Sequence, residues 1–443
     1  MSRNHFVGVL AVAALALAAC SNSGGDESSG GSADNGDKAD PISGVPGVTD
    51  DEIRFAAFGT RSNNPLGTCV LDCYVDGINA YFAFRNSEGG AHGRDLVLST
   101  ELDDELSKNQ ERALEIVSAD DVFGAFSATQ LSSGWGDIAD AGIPLYVWGI
   151  DFEAMNGRDS IWASTGVVCG SCTRRSPTYS AEVVGAKKMA SLGYDISQVS
   201  KDCAGAQAKS IDLYGGETGQ EVVYLNDHLA FGLPNGVAPE VTAMKKAGVD
   251  FVMACIDLNG MKTLAQELQR QGMGDVPMMH ANTYDQAFVA EAGELFEGDL
   301  VLVNFRPFEA DADDSALADY FKWMEETGSE QTELAMMGWI NADLAYQGLV
   351  EAGPQFDRAS VIEATNKLTA YSAGGLINPI DWTRQHEPPT EDDPATHGYT
   401  EECVALVQVT DGEFQIVGDE KNPFLCWDGA NRDWAEPEPS DLG

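Results

Sequence analysis

Basic side chains are scarce in this 443-residue chain: 26 Lys and Arg stand against 71 Asp and Glu, a formal net charge of −45. A surface of that sign repels phosphate backbones, which excludes nucleic acid as a partner. It repels an anionic membrane surface for the same reason. Histidine is also scarce, and the 6 residues His5, His92, His228, His280, His386 and His397 form no H-x-x-x-H or related metal pair. Only His280, at the end of a strand, is placed to face a cleft, and it reads as a structural residue. Ser127 sits in Gly124-Ala125-Phe126-Ser127-Ala128, which lacks the second glycine of a G-x-S-x-G elbow. The run Asp311-Ala312-Asp313-Asp314 lacks the Gly and distal Glu of a calcium loop and reads as an acidic helix start. No period of 20–50 residues repeats. These absences argue against an enzyme, so no catalytic residue, metal or cofactor is assigned.

What the chain has is 43% hydrophobic residues, enough for a large core, and a length that suits two or three domains. Arg3 is followed by an apolar run, Phe6 to Ala18, too short for a helix that must cross ~30 Å of hydrocarbon. A charged start, an apolar middle and a small-residue end make a secretory signal over residues 1–19. Its end, Leu17-Ala18-Ala19-Cys20, resembles the lipobox of bacterial lipoproteins, which implies cleavage before Cys20 and a lipid on its sulfur. Residues 20–47 are rich in Ser, Gly and Asp and read as a flexible tether, because so little apolar surface cannot offset the entropy of ordering. The expected location is extracytoplasmic, with the body held to the cell membrane by the lipid.

With Cys20 assigned to lipid, the rest of the 9 cysteines are Cys69, Cys73, Cys169, Cys172, Cys203, Cys255, Cys403 and Cys426. An even number in an exported protein suggests disulfides, though eight cysteines allow 105 connectivities. Local pairs are favoured: Cys69–Cys73, Cys169–Cys172 and Cys403–Cys426, which leaves Cys203–Cys255. Cys169-Gly170-Ser171-Cys172 has the C-x-x-C form of a redox dithiol, but its flanks read as loop and favour a structural bridge.

The body alternates strands and helices. Ile53–Phe58, Leu96–Leu98, Val122–Phe126 and Pro144–Trp148 read as strands, separated by helices at Cys73–Arg85, Gln110–Val117 and Trp135–Ala141. A second series reads as a helix at Tyr179–Leu192, then strands at Glu221–Leu225, Phe251–Cys255, Val276–His280 and Leu300–Phe305, with helices at Ala238–Ala247 and Gly260–Gln271. Helices follow at Ala316–Thr327, Leu334–Ala352 and Arg358–Leu368, the last capped by Asp357. A late hairpin joins Val404–Val409 to Glu413–Val417 through Asp411-Gly412, and Glu387 to Pro394 is a surface loop. This is the pattern of open parallel sheets, whose ligands bind beyond the carboxyl ends of the strands.

Gly77-Ile78-Asn79-Ala80-Tyr81-Phe82-Ala83-Phe84-Arg85-Asn86-Ser87-Glu88-Gly89-Gly90-Ala91-His92-Gly93-Arg94 resembles the helix, Gly-Gly turn and Gly-Arg strand entry of type I periplasmic binding proteins. The leucine/isoleucine/valine-binding branch is the nearest. Val48-Thr49-Asp50-Asp51-Glu52-Ile53, Val122-Phe123-Gly124-Ala125, Ala141-Gly142-Ile143-Pro144-Leu145 and Ala247-Gly248-Val249-Asp250-Phe251-Val252 match in the same order. The resemblance implies an α/β fold of two Rossmann-like lobes with parallel-sheet cores, joined by three hinge crossovers and closing on a small polar ligand. It also implies an ABC importer whose permease subunits are the protein partner. Lobe 1 is expected at 48–165 with about 306–375, lobe 2 at 166–305 with about 376–434, in a monomer.

By the same resemblance the lobe 1 cleft loop is Phe126 to Gln130, where Ser127, Ala128 and Thr129 would hold the ligand, either hydroxyl also serving as a helix cap. Trp148 and Gly149 end the next strand, the Trp being equally suited to core and site, and Leu66 and Gly67 face the cleft from the loop after the first strand. In lobe 2, Asn282 stands where amino-acid binders carry an acid for the ammonium group, with Tyr284 and Asp285 close by and Asp257 as another source of charge. Without that acid, an amide or urea-like solute becomes as reasonable as a branched-chain amino acid. Between Gly193 and Cys203 the family's apolar strand and aromatic cleft turn look shortened or missing. Two other uses of this architecture remain: a ligand-sensing receptor, or a secreted α/β hydrolase or redox enzyme.

Overall fold

The computed structural model describes residues 42–65, 68–131, 134–165, 167–281, 283–313, 315–387, 401–429, 431 and 433–442. The signal segment, Cys20, nearly all of the tether, Leu66, Gly67, Asn282 and the loop from 388 to 394 lie outside the described residues. Among the described residues no helix is long and apolar enough to cross a membrane.

Glu52–Gly59 buries Ile53, Phe55, Ala56, Ala57 and Phe58 almost completely, so both of its faces are covered. A continuous apolar run of this kind is what a central parallel strand needs. It pairs on one side with Asp95–Asp103 and on the other with Gly124–Ala128, followed by Leu145–Val147 and Ile161–Trp162, all parallel. One face carries an aromatic cluster: Phe126 lies 5.4 Å from Phe55, 6.0 Å from Phe82 and 5.3 Å from Tyr146, which stacks on Trp162 at 5.1 Å.

The helix Leu71–Ser87 packs against Glu333–Ala352 from late in the chain. Two glycines permit this crossing. A Cβ on Gly77 would lie 1.8 Å from the Ala335 carbonyl oxygen, and one on Gly338 would lie 2.1 Å from that of Tyr74. Tyr81 donates to Asp343 Oδ1 at 2.6 Å along the same seam.

The second sheet runs Glu221–Leu229, Lys188–Tyr194, Phe251–Cys255, Met278–His280 and Leu300–Val303 in parallel. Glu401–Thr410, Phe424–Asp428 and Glu438–Ser440 extend it antiparallel, and Glu413–Ile416 pairs with Glu401–Thr410. In both sheets the first strand of its series lies between the second and the third. The chain leaves the first sheet after Trp162, returns after Val303 to the helices that pack on Leu71–Ser87, and re-enters the second sheet at Glu401. The two lobes are therefore linked by three passes of chain.

The largest departure from the sequence reading falls at Tyr179–Leu192. The helix ends at Val183, Gly185 takes a left-handed φ of 72°, and a strand begins at Lys188. The strand that looked shortened or missing is thus seven residues long, Lys188–Tyr194, and it ends on the aromatic Tyr194. After it comes a 21-residue helix, Gln198–Thr218, that the sequence reading did not contain, capped by Ser197 accepting from Ser200 N. Elsewhere elements stand close to their expected ranges, with Ala238–Ala247, Phe251–Cys255 and Ala316–Thr327 unchanged. The hairpin turn Asp411-Gly412 has φ values of 54° and 80°, the left-handed pair that a two-residue turn requires. All four expected cysteine pairs are bonded: Cys69–Cys73, Cys169–Cys172, Cys203–Cys255 and Cys403–Cys426.

Candidate functional site

The carboxyl ends of both sheets open on one cavity of about 290 Å³. From the first sheet, Thr129 and Gln130 follow Gly124–Ala128, and Trp148 and Gly149 follow Leu145–Val147. From the second, Tyr194 ends its strand, Ile256 and Asp257 follow Phe251–Cys255, and Met279 and Ala281 come from Met278–His280. Thr165, Asn378 and Glu333 add walls from the connecting segments and the start of a helix. The first sheet reverses its strand order between Glu52–Gly59 and Gly124–Ala128, and the second between Lys188–Tyr194 and Phe251–Cys255, so Thr129, Tyr194 and Asp257 stand beside the reversals, which is where open α/β sheets form ligand crevices.

Asp257 is held on three sides. Its Oδ2 accepts from Asn259 N at 3.0 Å and Gly260 N at 3.1 Å, capping the helix Leu258–Arg270, while Oδ1 accepts the Tyr194 hydroxyl. Burial raises the Asp257 carboxyl above the usual carboxylate range and the Tyr194 phenol above its own, so the proton stays on the tyrosine. Glu333 is the second buried acid of the wall. It accepts from Tyr284 N at 3.1 Å, and burial, with Asp285 nearby, pushes its carboxyl up to about 7. Six buried polar atoms on the wall have no hydrogen-bond partner: Thr129 Oγ1, Gln130 Oε1, Ser164 Oγ, Thr165 Oγ1, Asn378 Oδ1 and Glu402 Oε2. Buried polar groups are seldom left so, and a cavity wall is where a ligand or water completes them.

Of the residues singled out from sequence, Thr129, Trp148, Gly149 and Asp257 are on the cavity wall. Ser127 and Ala128 are not: Ser127 Oγ accepts from Trp135 Nε1 at 3.1 Å inside the first lobe, and the Ala128 carbonyl accepts from Thr60 N at 3.0 Å. Both still belong to the strand, and the wall begins one residue later. Tyr284 is buried away from the cavity, its hydroxyl donating to Glu309, and Asp285 caps Gln286–Ala292 by accepting from Phe288 N at 2.8 Å. His280 Nε2 lies 2.9 Å from Asp299 Oδ2 and Nδ1 lies 2.5 Å from Thr283 Oγ1, all buried, which is a structural role. The sequence reading missed Tyr194, Thr165, Glu333 and Asn378. Tyr194 was hidden by the misread helix. Thr165 follows the two-residue strand Ile161–Trp162, too short to read from sequence, and Glu333 and Asn378 stand outside the strand-end loops and carry no local motif.

Two α/β lobes whose switch points face a shared cavity define a solute-binding architecture. The chain belongs to the periplasmic binding protein family, whose model matches residues 65–413. No curated protein matches it. Among solved structures, it is similar to a leucine binding protein from Thermotoga maritima, at 13% identity and a TM-score of 0.65, covering 82% of this chain and 97% of that one. A branched chain amino acid ABC transporter protein from Thermus thermophilus with bound valine is similar at 16% identity and a TM-score of 0.63, over 88% and 97%. A fatty acid ABC transporter substrate-binding protein from Thermomonospora curvata is similar at 17% identity and a TM-score of 0.62, over 91% and 96%.

Proposed function

We propose that this chain is the solute-binding subunit of an ABC importer, anchored outside the cell through a lipid on Cys20, and that it captures a small, partly aliphatic solute of the amino-acid or amide kind by hinge closure. The observation that carries the reading is the shared cavity at the carboxyl ends of two sheets with the same reversed strand order. Lobe 1 comprises 48–165 with about 306–375, and lobe 2 comprises 166–305 with about 376–434. Thr129 and Gln130 meet the ligand from one lobe and Tyr194 and Asp257 from the other, so the solute makes its full set of contacts only when the lobes close. That differential contact is the free energy that shifts the open–closed equilibrium. No bond in the solute is made or broken.

A leucine binding protein and a valine-bound transporter protein share this architecture, which supports a ligand of that size. The Thermomonospora curvata protein named for fatty acids shares it too. A cavity of about 290 Å³ lies at the small end of ligand pockets, which favours the smaller solute. The anionic body, from a chain of formal net charge −45, binds the membrane only through the lipid and otherwise stands off it as a monomer.

A thermal-shift screen of amino acids, their amides, short amines and short carboxylates tests the reading. A true ligand at a hundred times its Kd stabilises by about 2.7 kcal/mol. Small-angle scattering with that ligand should show a more compact particle. The reading falls if no solute of any class raises the melting temperature, or if a bound solute is turned over.

A further inference from the structure

The chemistry of the cavity wall is one-sided. Two of its buried acids, Asp257 and Glu333, come from opposite lobes. A third, Glu402, has a counter-charge, with Arg175 Nε 3.5 Å from its Oε2 and Ser176 N donating to its Oε1 at 3.1 Å. Glu333 has no such match, and its carboxyl is pushed up to about 7 by burial beside Asp285, the condition of an acid short of a counter-charge. Arg174 is the one cationic side chain among the described wall residues, and it is already engaged in another interaction.

The unpartnered amides add an independent observation. Asn378 is 9% exposed and its Nδ2 donates to the Glu401 carbonyl at 2.9 Å. A backbone carbonyl only accepts, so the amide orientation is fixed and the orphan Oδ1 is an acceptor. At Gln130, Asn64 Nδ2 donates to the Thr68 carbonyl at 2.7 Å, which makes Asn64 Oδ1 the acceptor for Gln130 Nε2 at 3.0 Å. The Gln130 orphan, Oε1, is therefore an acceptor as well. The wall also has apolar surface, with Trp148, Met279, Leu302, Met337 and Ile377.

We propose, resting on the solute-binding reading above, that the cleft takes a solute with a hydrogen-bond-donating nitrogen at each end of an aliphatic middle, a diamine or amino amide, with Glu333 as a second anionic anchor across from Asp257. A ligand carboxylate at the Glu333 end would face acceptors and an acid with no free cation, a desolvation cost nothing on the wall offsets. An ammonium or amide N–H is what an unmatched acid such as Glu333 and an orphan acceptor such as Asn378 Oδ1 each need.

Calorimetry on the mature protein with 1,5-diaminopentane, leucinamide, leucine and isovalerate decides it. Diaminopentane and leucinamide should bind at least tenfold tighter than leucine, and isovalerate should not bind. Glu333→Gln should weaken diaminopentane at least tenfold. Asn378→Ala, which keeps every acid, should weaken both two-ended probes and remains informative if Glu333→Gln folds poorly. Leucine binding as tightly as leucinamide, or unchanged diaminopentane affinity in both variants, overturns the inference and leaves the solute-binding reading intact. Failure of every solute class in the wider thermal screen removes both.

Discussion

The two lobes repeat one strand order with different chemistry. The first holds its sheet with an aromatic cluster, Phe55, Phe82, Phe126, Tyr146 and Trp162, around a strand buried on both faces. The second is packed with Met189, Met253, Met279 and Leu300, widened by antiparallel strands, and tied by Cys203–Cys255 and Cys403–Cys426. The contrast extends to the switch points. Thr129 and Gln130 present neutral groups from one side, while Tyr194 and Asp257 present a phenol and a carboxylate from the other. Topology places the cleft, and the residue just past each strand end sets its chemistry. The lobes can therefore diverge in how they are stabilised without moving the site.

The comparison predicts different weak points. Phe126→Ala should remove about 3–5 kcal/mol from unfolding, because it empties the centre of the aromatic cluster. In the second lobe the cross-link takes that place. Cys203 and Cys255 are 52 residues apart, and losing a bridge over such a loop costs about 4 kcal/mol on the chain-entropy account. Cys169 and Cys172 are only 3 apart, so their double Ala variant should lose about half as much. Denaturant unfolding followed separately at Trp162 and Trp427, one in each lobe, checks this. Equal losses from the two cysteine pairs would break the contrast.

A smaller effect separates the buried acids. Glu333 has its folded-state carboxyl raised to about 7 from an ordinary value of 4.5, so between those pH values the folded protein binds more protons than the unfolded chain. Stability from this group is present below about pH 4.5 and is lost as the pH rises through 7. Glu333→Gln, which cannot ionise, should remove that slope and raise stability at pH 8 by about 3 kcal/mol in the ligand-free protein. Melting temperatures of the two proteins from pH 4 to 8 test it, with the curves expected to diverge from about pH 4.5 upward and to run parallel above about 7.

Much of the fold was legible because its signals are local. Phe251–Cys255 is a short apolar run between turn residues, and Ala316–Thr327 carries a clear apolar stripe. Tyr179–Leu192 failed because Val183, Val184, Ala186 and Met189 happen to match a helical period across a real boundary. Gly185 was the discriminating residue: the left-handed turn there ends the helix, a signal that outranks the apolar spacing. The helix Gln198–Thr218 was unreadable for the opposite reason. Small and polar residues such as Ala204, Gly205, Ala206 and Lys209, with Gly215 and Gly216 near its end, give it little apolar stripe, and packing against the strand Glu221–Leu229 holds it. At the site, strand-end loops were legible and the walls lent by distant chain were not. Glu333 and Asn378 come to the cavity only through the passes between lobes, which no local window contains.

The smallest prediction compares one helix start in each lobe. Asp357 caps Arg358–Thr365 by accepting from Ser360 N at 2.8 Å, and Ser360 Oγ returns a bond to the Asp357 backbone N–H at 2.9 Å. Ser197 caps Gln198–Thr218 with one bond from Ser200 N at 3.3 Å. The reciprocal pair satisfies two otherwise orphaned backbone donors, one by each residue, and adds a carboxylate at the positive end of the helix. Asp357→Ala should therefore cost about 1 kcal/mol and Ser197→Ala about half of that. The hydrogen bonds from Ser360 hold the Asp357 carboxyl below its usual range, so its share is present at neutral pH and fades as the pH falls through that lowered value. The gap between the two variants, read by thermal melts at pH 7 and pH 3, should close on acidification. A gap that persists at pH 3 would mean that the Asp357 cap works through shape and not through charge.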